Sequence, residues 1–187
     1  ESEVRDESGD FALMLMRLRA LPQPTVALVH GMALAGGMGL VAACDMAICT
    51  ANAQFGLSEV RIGLIPAIIS PYVVEAIGPR ATRRYALTGD RFGAEEALRL
   101  GLVQEVVPDE NALAAASERL VTSLLAGAPK ALAATKELLD LVTWMPIDED
   151  LNDETVSMIA ERRVSEEARE GFAAFLEKRK PSWVSGT

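Results

Sequence analysis

Two stretches of the chain combine residue types that can move protons and hold an anion. The first is Phe55-Gly56-Leu57-Ser58-Glu59-Val60-Arg61-Ile62-Gly63-Leu64-Ile65-Pro66, where one carboxylate stands in a mainly apolar run bounded by glycines and a proline. A carboxylate among apolar neighbours is poorly solvated, which suits general acid/base work near neutral pH. Read alone, Glu59 has a plainer alternative: a surface carboxylate paired with Arg61. The second stretch is Ala33-Leu34-Ala35-Gly36-Gly37-Met38-Gly39. Glycines between a strand and a helix permit positive φ and close backbone approach. N–H groups at a helix start can hold a negative oxygen, helped by the helix dipole. The alternative here is tight strand–helix packing. The spacing does not meet the GxGxxG dinucleotide fingerprint, and no acidic partner follows at the expected place.

These residues need elements to hold them. Phe11, Met14, Leu15, Leu18 and Leu21 recur at helical spacing, and Pro22 and Pro24 end that helix. Thr25–His30 reads as a buried strand, Gly31–Gly39 as a small-residue loop, the run to about Cys44 as an apolar helix, and Asp45–Ala51 as a second strand. Strand, loop, helix, strand is a βαβ unit and implies a parallel sheet. Downstream, helices are expected over Ser70–Ile77 and Pro79–Leu87, split by Gly78–Pro79, and over Ala94–Leu100, stopped by Gly101. Val103–Val107 reads as a short strand. Three amphipathic segments close the chain: Glu110–Leu125, Lys130–Val142, and about Asp150 to Arg179 with a break near Ser165. The expected division is an α/β core over 1–109 and a helical segment over 110–187 that serves association.

The chain has 187 residues, half of them hydrophobic, which is ample for a core. The net charge of −9 argues against nucleic acid as a partner. The spacing of the two cysteines, Cys44 and Cys49, suits neither a CxxC metal site nor a disulfide framework, so reduced buried thiols and no metal are expected. No apolar run approaches membrane-spanning length, and the acidic Glu1–Asp10 run is unlike a signal peptide, so a cytoplasmic or organelle-matrix location is expected. His30, the single histidine, reads as structural, Asp45 as a capping or ion-pair residue, and Arg80, Arg83 and Arg84 as solvated or subunit-contacting. Trp144 and Trp183 read as packing or interface aromatics.

HGMALAGGMGLVAACDMAI followed by AQFGLSEVRIGLIPA resembles the central signature of the crotonase, or enoyl-CoA hydratase/isomerase, family. AIGPRATRRYALTGDRFGAEEALRLGLVQEVVP, APKALAATKELL and EGFAAFLEKRKPSW continue the resemblance in order. It implies a crotonase-like ββα spiral with a C-terminal helical segment, assembled as a homo-trimer or hexamer. It implies an acyl-CoA thioester substrate, with coenzyme A as part of the substrate and no separate cofactor. Gly36 then falls at a backbone oxyanion-hole donor, a role worth about 2.7–4 kcal/mol per donor. Glu59 falls at a proton-transferring glutamate. Gly37, Gly39 and Pro66 fall along the substrate site, and Phe175 and Lys178 where the family contacts the adenine and phosphates of CoA in a neighbouring subunit. The second oxyanion donor is expected in a segment ahead of Glu1. Many hydratases of the family carry a second glutamate where this chain has Gly39, so position 39 is expected to leave open volume for a substrate branch or carboxylate. SEVRIGLIPAIISPYVVEAIG resembles bacterial methylglutaconyl-CoA or isohexenylglutaconyl-CoA hydratase-like members, which implies hydration of a branched or carboxylated 2-enoyl-CoA. Δ3,Δ2-enoyl-CoA isomerisation and weakly catalytic CoA binding are the alternatives.

Overall fold

The computed structural model describes residues 2–184, arranged in two compact units: residues 2–21 with 25–119, and 22–24 with 120–184. The division falls inside a helix, Glu110–Leu125.

The first unit begins with helix α1 (Ser2–Arg19) and continues through β1 (Val26–Val29), β2 (Met32–Leu34), α2 (Gly36–Ala43), β3 (Met46–Thr50) and β4 (Gln54–Gly56). A 3₁₀ turn over Glu59–Ile62 leads to α3 (Ser70–Thr88), β5 (Arg91–Gly93), α4 (Ala94–Leu100), β6 (Glu105–Val107) and the start of α5 (Glu110–Leu125). Two three-stranded sheets result. In the first, β3 lies between β1 and β6 and is parallel to both. In the second, β4 lies between a parallel β2 and an antiparallel β5.

The β1–β3 pair matches the expected parallel βαβ unit, and its register is pinned at the strand starts. Asp45 Oδ2 accepts from the Thr25 N–H at 2.6 Å and its hydroxyl at 2.9 Å, while Thr25 Oγ1 accepts from the Asp45 N–H at 3.0 Å. Arg19 closes on the same carboxylate at 3.6 Å, so of the two roles expected for Asp45, capping or ion pair, it takes the ion pair. The expected loop over Gly31–Gly39 differs: it contains β2, and its last four residues already belong to α2. β2, β4 and β5 have three residues each, too few for alternation to register as a pattern. Gly78 breaks α3 at φ 77°, ψ 161°, and Gly101 caps α4 at φ 84°, both where glycine punctuation placed them.

The core joins the inner faces of α1, α2, α3 and α4 to the two sheets through Leu15, Met38, Val73, Phe55, Leu57 and Val103, among others. An aromatic row crosses it. Phe55 on β4 stacks on Phe92 of β5 at 5.7 Å between centroids, and Phe92 meets Tyr85 of α3 at 4.3 Å. Tyr85 Oη donates to Glu96 Oε1 at 2.9 Å, and Arg99 grips both oxygens of that carboxylate at 2.6 Å. Cys49, in β3, is fully buried, and burial pushes its thiol up to about 11.

The second unit holds the end of α5 with α6 (Pro129–Trp144), α7 (Glu149–Arg163) and α8 (Glu166–Glu177). The expected break near Ser165 is the α7–α8 junction, where Ser165 Oγ accepts from the Ala168 N–H at 3.1 Å. Glu167 of α8 caps α6, its two oxygens accepting from the N–H groups of Lys130 at 2.9 Å and Ala131 at 3.0 Å, two donors that a helix start leaves open. The tail folds back on α8: Arg179 pairs with Glu170, and Trp183 Nε1 donates to the Ala126 carbonyl at 3.2 Å. Trp183 is therefore a packing residue, whereas Trp144 is exposed. Among the described residues no helix is long and apolar enough to cross a membrane.

The Glu96 network has a pH signature. The hydrogen bonds from Arg99, and then from Tyr85, hold the Glu96 carboxyl at about 2 against an ordinary 4.5. A carboxyl depressed in the folded state stabilises the fold above its unfolded pKa and loses that contribution as pH falls through its folded one. Glu96→Gln is expected to melt below the parent at pH 7, with the gap closing between about pH 4.5 and about pH 2. Thermal melts across that range check it; a pH-independent gap would assign Glu96 to packing alone.

Candidate active site

The parallel pairing of β2 with β4 aligns Leu34 with Gly56, so the segments leaving the two strands depart side by side. One starts α2 at Gly36; the other reaches Glu59 three residues on. The pairing extends one step further, since the Ala35 N–H donates to the Gly56 carbonyl at 2.9 Å.

Ala35 is the hinge of the first segment. It sits at φ 48°, ψ −120°, a region costly for a residue with a side chain. Its two backbone groups are fixed, the N–H on Gly56 and the carbonyl accepting from the Gly39 N–H at 3.1 Å. That bond is the first of the helical ladder, so the N–H groups of Gly36, Gly37 and Met38 precede any helical acceptor. Gly36 is thus the first residue of α2, at the positive end of its dipole, as an oxyanion donor requires.

Glu59 opens the 3₁₀ turn, and its Oε2 is buried with no hydrogen-bond partner among the described residues. Its surface alternative fails, because Arg61 turns away to Asp90 at 3.1 Å. The Arg61 side chain also crosses Gly89, whose lack of a side chain leaves the needed room. A buried carboxylate oxygen without a partner is costly to the fold and available to a ligand proton. Pro66, half-buried, accepts from the Ser70 N–H at 3.0 Å and so closes the turn that leads into α3.

Position 39 departs from expectation. A β-carbon at Gly39 would overlap Ile69 Cγ2 and lie 2.7 Å from Ile69 Cβ. The space a side chain would enter is therefore filled with hydrocarbon rather than open to a substrate branch or carboxylate. The sequence shows that residue 39 lacks a side chain; it does not show which distant residue takes up the room. Gly36 is similarly covered by Phe11 of α1, whose Cζ would stand 3.2 Å from a β-carbon there, while Gly37 has open space.

The other residues singled out lie apart from this pair of segments. His30 is exposed, with Nδ1 3.6 Å from Glu110. Arg80, Arg83 and Arg84 are exposed, Arg84 lying over the Tyr85 ring. Phe175 and Lys178 belong to the second unit, exposed at the end of α8, where Lys178 takes the left-handed cap conformation at φ 53°. Among the described residues no cluster of three or more His, Cys, Asp or Glu is arranged to hold a metal.

Residues 4–186 match the family described as enoyl-CoA hydratase/isomerase. Carnitinyl-CoA dehydratase of Salmonella enteritidis is 35% identical over 182 residues, covering 94% of this chain and 68% of that one. An enoyl-CoA hydratase from Shewanella pealeana has a similar structure, with TM-score 0.92 and 42% identity over 97% of this chain and 68% of that chain. AtuE of Pseudomonas aeruginosa superposes with TM-score 0.93 at 43% identity, covering 99% of this chain and 71% of that one.

The Gly39–Ile69 contact makes a stability prediction. Alanine favours a helix interior over glycine by up to about 1 kcal/mol, but forcing carbon into a filled site costs about 1–3 kcal/mol. Gly39→Ala is therefore expected to lower the denaturation midpoint, and adding Ile69→Ala, which removes Cγ2 and leaves only the contact with Cβ, to recover part of the loss. A Gly39→Ala variant as stable as its parent would contradict the packing described.

Proposed function

Given that the chain belongs to the enoyl-CoA hydratase/isomerase family, we propose that the protein is an acyl-CoA lyase that hydrates a branched or carboxylated 2-enoyl-CoA through an enolate. The observation that carries this reading is the buried, unpartnered Glu59 Oε2 on the segment beside the open N–H groups of α2.

In this mechanism the Gly36 N–H donates to the thioester oxygen. Withdrawal of electrons toward that oxygen makes the β-carbon electrophilic. Glu59 takes a proton from water as its oxygen bonds to the β-carbon, and the C=C electrons move to form the enolate. The same carboxyl returns the proton to the α-carbon, so H and OH have added across the double bond and Glu59 is ionised again. One carboxylate suffices for this cycle, which accords with hydrocarbon rather than a second acid at position 39. That feature also favours a second reading, Δ3,Δ2-enoyl-CoA isomerisation, in which Glu59 carries one proton between two carbons. Phe175 and Lys178 are assigned to the adenine and phosphates of CoA bound to a neighbouring subunit.

Assembly as a homo-trimer or hexamer through the helices of the second unit belongs to the proposal. α8 exposes Phe172, Phe175 and Leu176, and the link between α6 and α7 exposes Ile147 at 98%, more apolar surface than a solvated face requires. Light scattering is expected to return three or six chains per particle; a monomer at micromolar concentration would remove this part.

Glu59→Gln keeps the shape and removes the base. In the intact protein, turnover of enoyl-CoAs is expected to fall by about 10²-fold or more while thioester binding survives. Near-normal turnover would move the chemistry to another residue.

A further inference from the structure

Glu59 is poorly held by its immediate neighbours. From Ser58 to Ile68 no residue is fully buried, and Ile62, Leu64 and Ile65 are all well exposed. The segment's internal bonds, Arg61 N–H to the Ser58 carbonyl at 3.0 Å and Leu64 N–H to the Glu59 carbonyl at 3.0 Å, preserve its local shape. They do not fix where that shape sits. The Arg61–Asp90 pair is exposed and weak. The 3₁₀ turn touches α3 and Ile68 packs partly on the core, but the fully buried anchors stand at the two ends, Leu57 and Ile69, which are 1% and 3% exposed.

Ile69 is seated on α2 itself. Its side chain fills the notch left by Gly39, and its carbonyl, accepting from the Val73 N–H at 3.1 Å, is fixed by the first turn of α3. Positions 36 and 39 are one helical turn apart and share a face. The same short helix thus carries the proposed oxyanion donor and the socket that receives the far end of the Glu59 segment. An isoleucine suits the task, because a β-branched side chain is stiff about χ1 and holds its position.

We propose that Ile69 is a positioning residue for Glu59: its insertion against Gly39 sets the distance between the proton carrier and the Gly36 donor. The inference rests on the hydratase reading above. Proton transfer is sensitive to such a distance, and a displacement of about 1 Å can cost about 10²-fold in rate.

The test uses the full-length protein with a panel of enoyl-CoAs. Ile69→Ala is expected to lower kcat at least about tenfold with KM for the thioester changed less than about twofold. Ile69→Val, which keeps the β-branch, is expected to retain most of kcat. If Ile69→Ala lowers the melting temperature but leaves kcat intact, Ile69 is structural only and the inference fails. If Ile69→Ala does not fold, Ile69→Val decides: a kcat loss as large as that of Glu59→Gln would overturn the claim that the β-branch sets the position. Absence of turnover by the parent protein would instead overturn the hydratase reading, and this inference with it.

Discussion

The parallel contact between β2 and β4 is the constraint on which the candidate site depends. Three residues on each strand suffice, because the pairing continues through Ala35 N–H to the Gly56 carbonyl before the segments diverge. A parallel pair sends both segments out of the same end of the sheet, so a helix start and a carboxylate-bearing turn become neighbours although more than twenty residues separate them in sequence. Slipping one strand by a residue would turn every side chain to the opposite face and separate Glu59 from α2. The backbone strain at Ala35 follows from the same contact. With its N–H held by β4 and its carbonyl held by α2, the residue has no freedom left to relax.

The surrounding packing defends that contact. The Phe55–Phe92–Tyr85 row ties β4 to β5 and to α3, and such ring pairs contribute about 0.5–1.5 kcal/mol each beyond their buried area. Phe11 and Ile69 cover the glycine face of α2 from α1 and from the approach to α3. The glycines of that helix therefore serve two ends. Their backbone leaves donors open at the first turn, and their missing side chains admit larger residues from elsewhere.

Much of this architecture is legible in the sequence, and what is not has a physical reason. Gly78, Gly101 and Ser165 mark their breaks because cap and left-handed positions demand particular residue types. The β1–β3 unit shows as β-branched runs around an apolar helix. The short strands of the second sheet do not show, since their pairing comes from tertiary contact rather than from pattern. At the candidate site, Gly36 and Glu59 stand out by type and neighbourhood. Whether Glu59 is paired with Arg61 is undecidable from spacing, and the structure resolves it by giving Arg61 to Asp90. Position 39 is the instructive failure. The absence of a side chain at one residue says nothing about the volume around it, because a close-packed interior fills the room from wherever the chain permits.

Cys49 carries a consequence of another kind. A thiol needs both exposure and ionisation to react, and this one has neither: it is fully buried in the central strand of its sheet, with its ionisation pushed up to about 11. An alkylating reagent can reach it only when the strands on either side separate. The rate at which a native sample is labelled at this position then counts openings of the parallel sheet one molecule at a time, so the protein carries its own clock for the loss of its core.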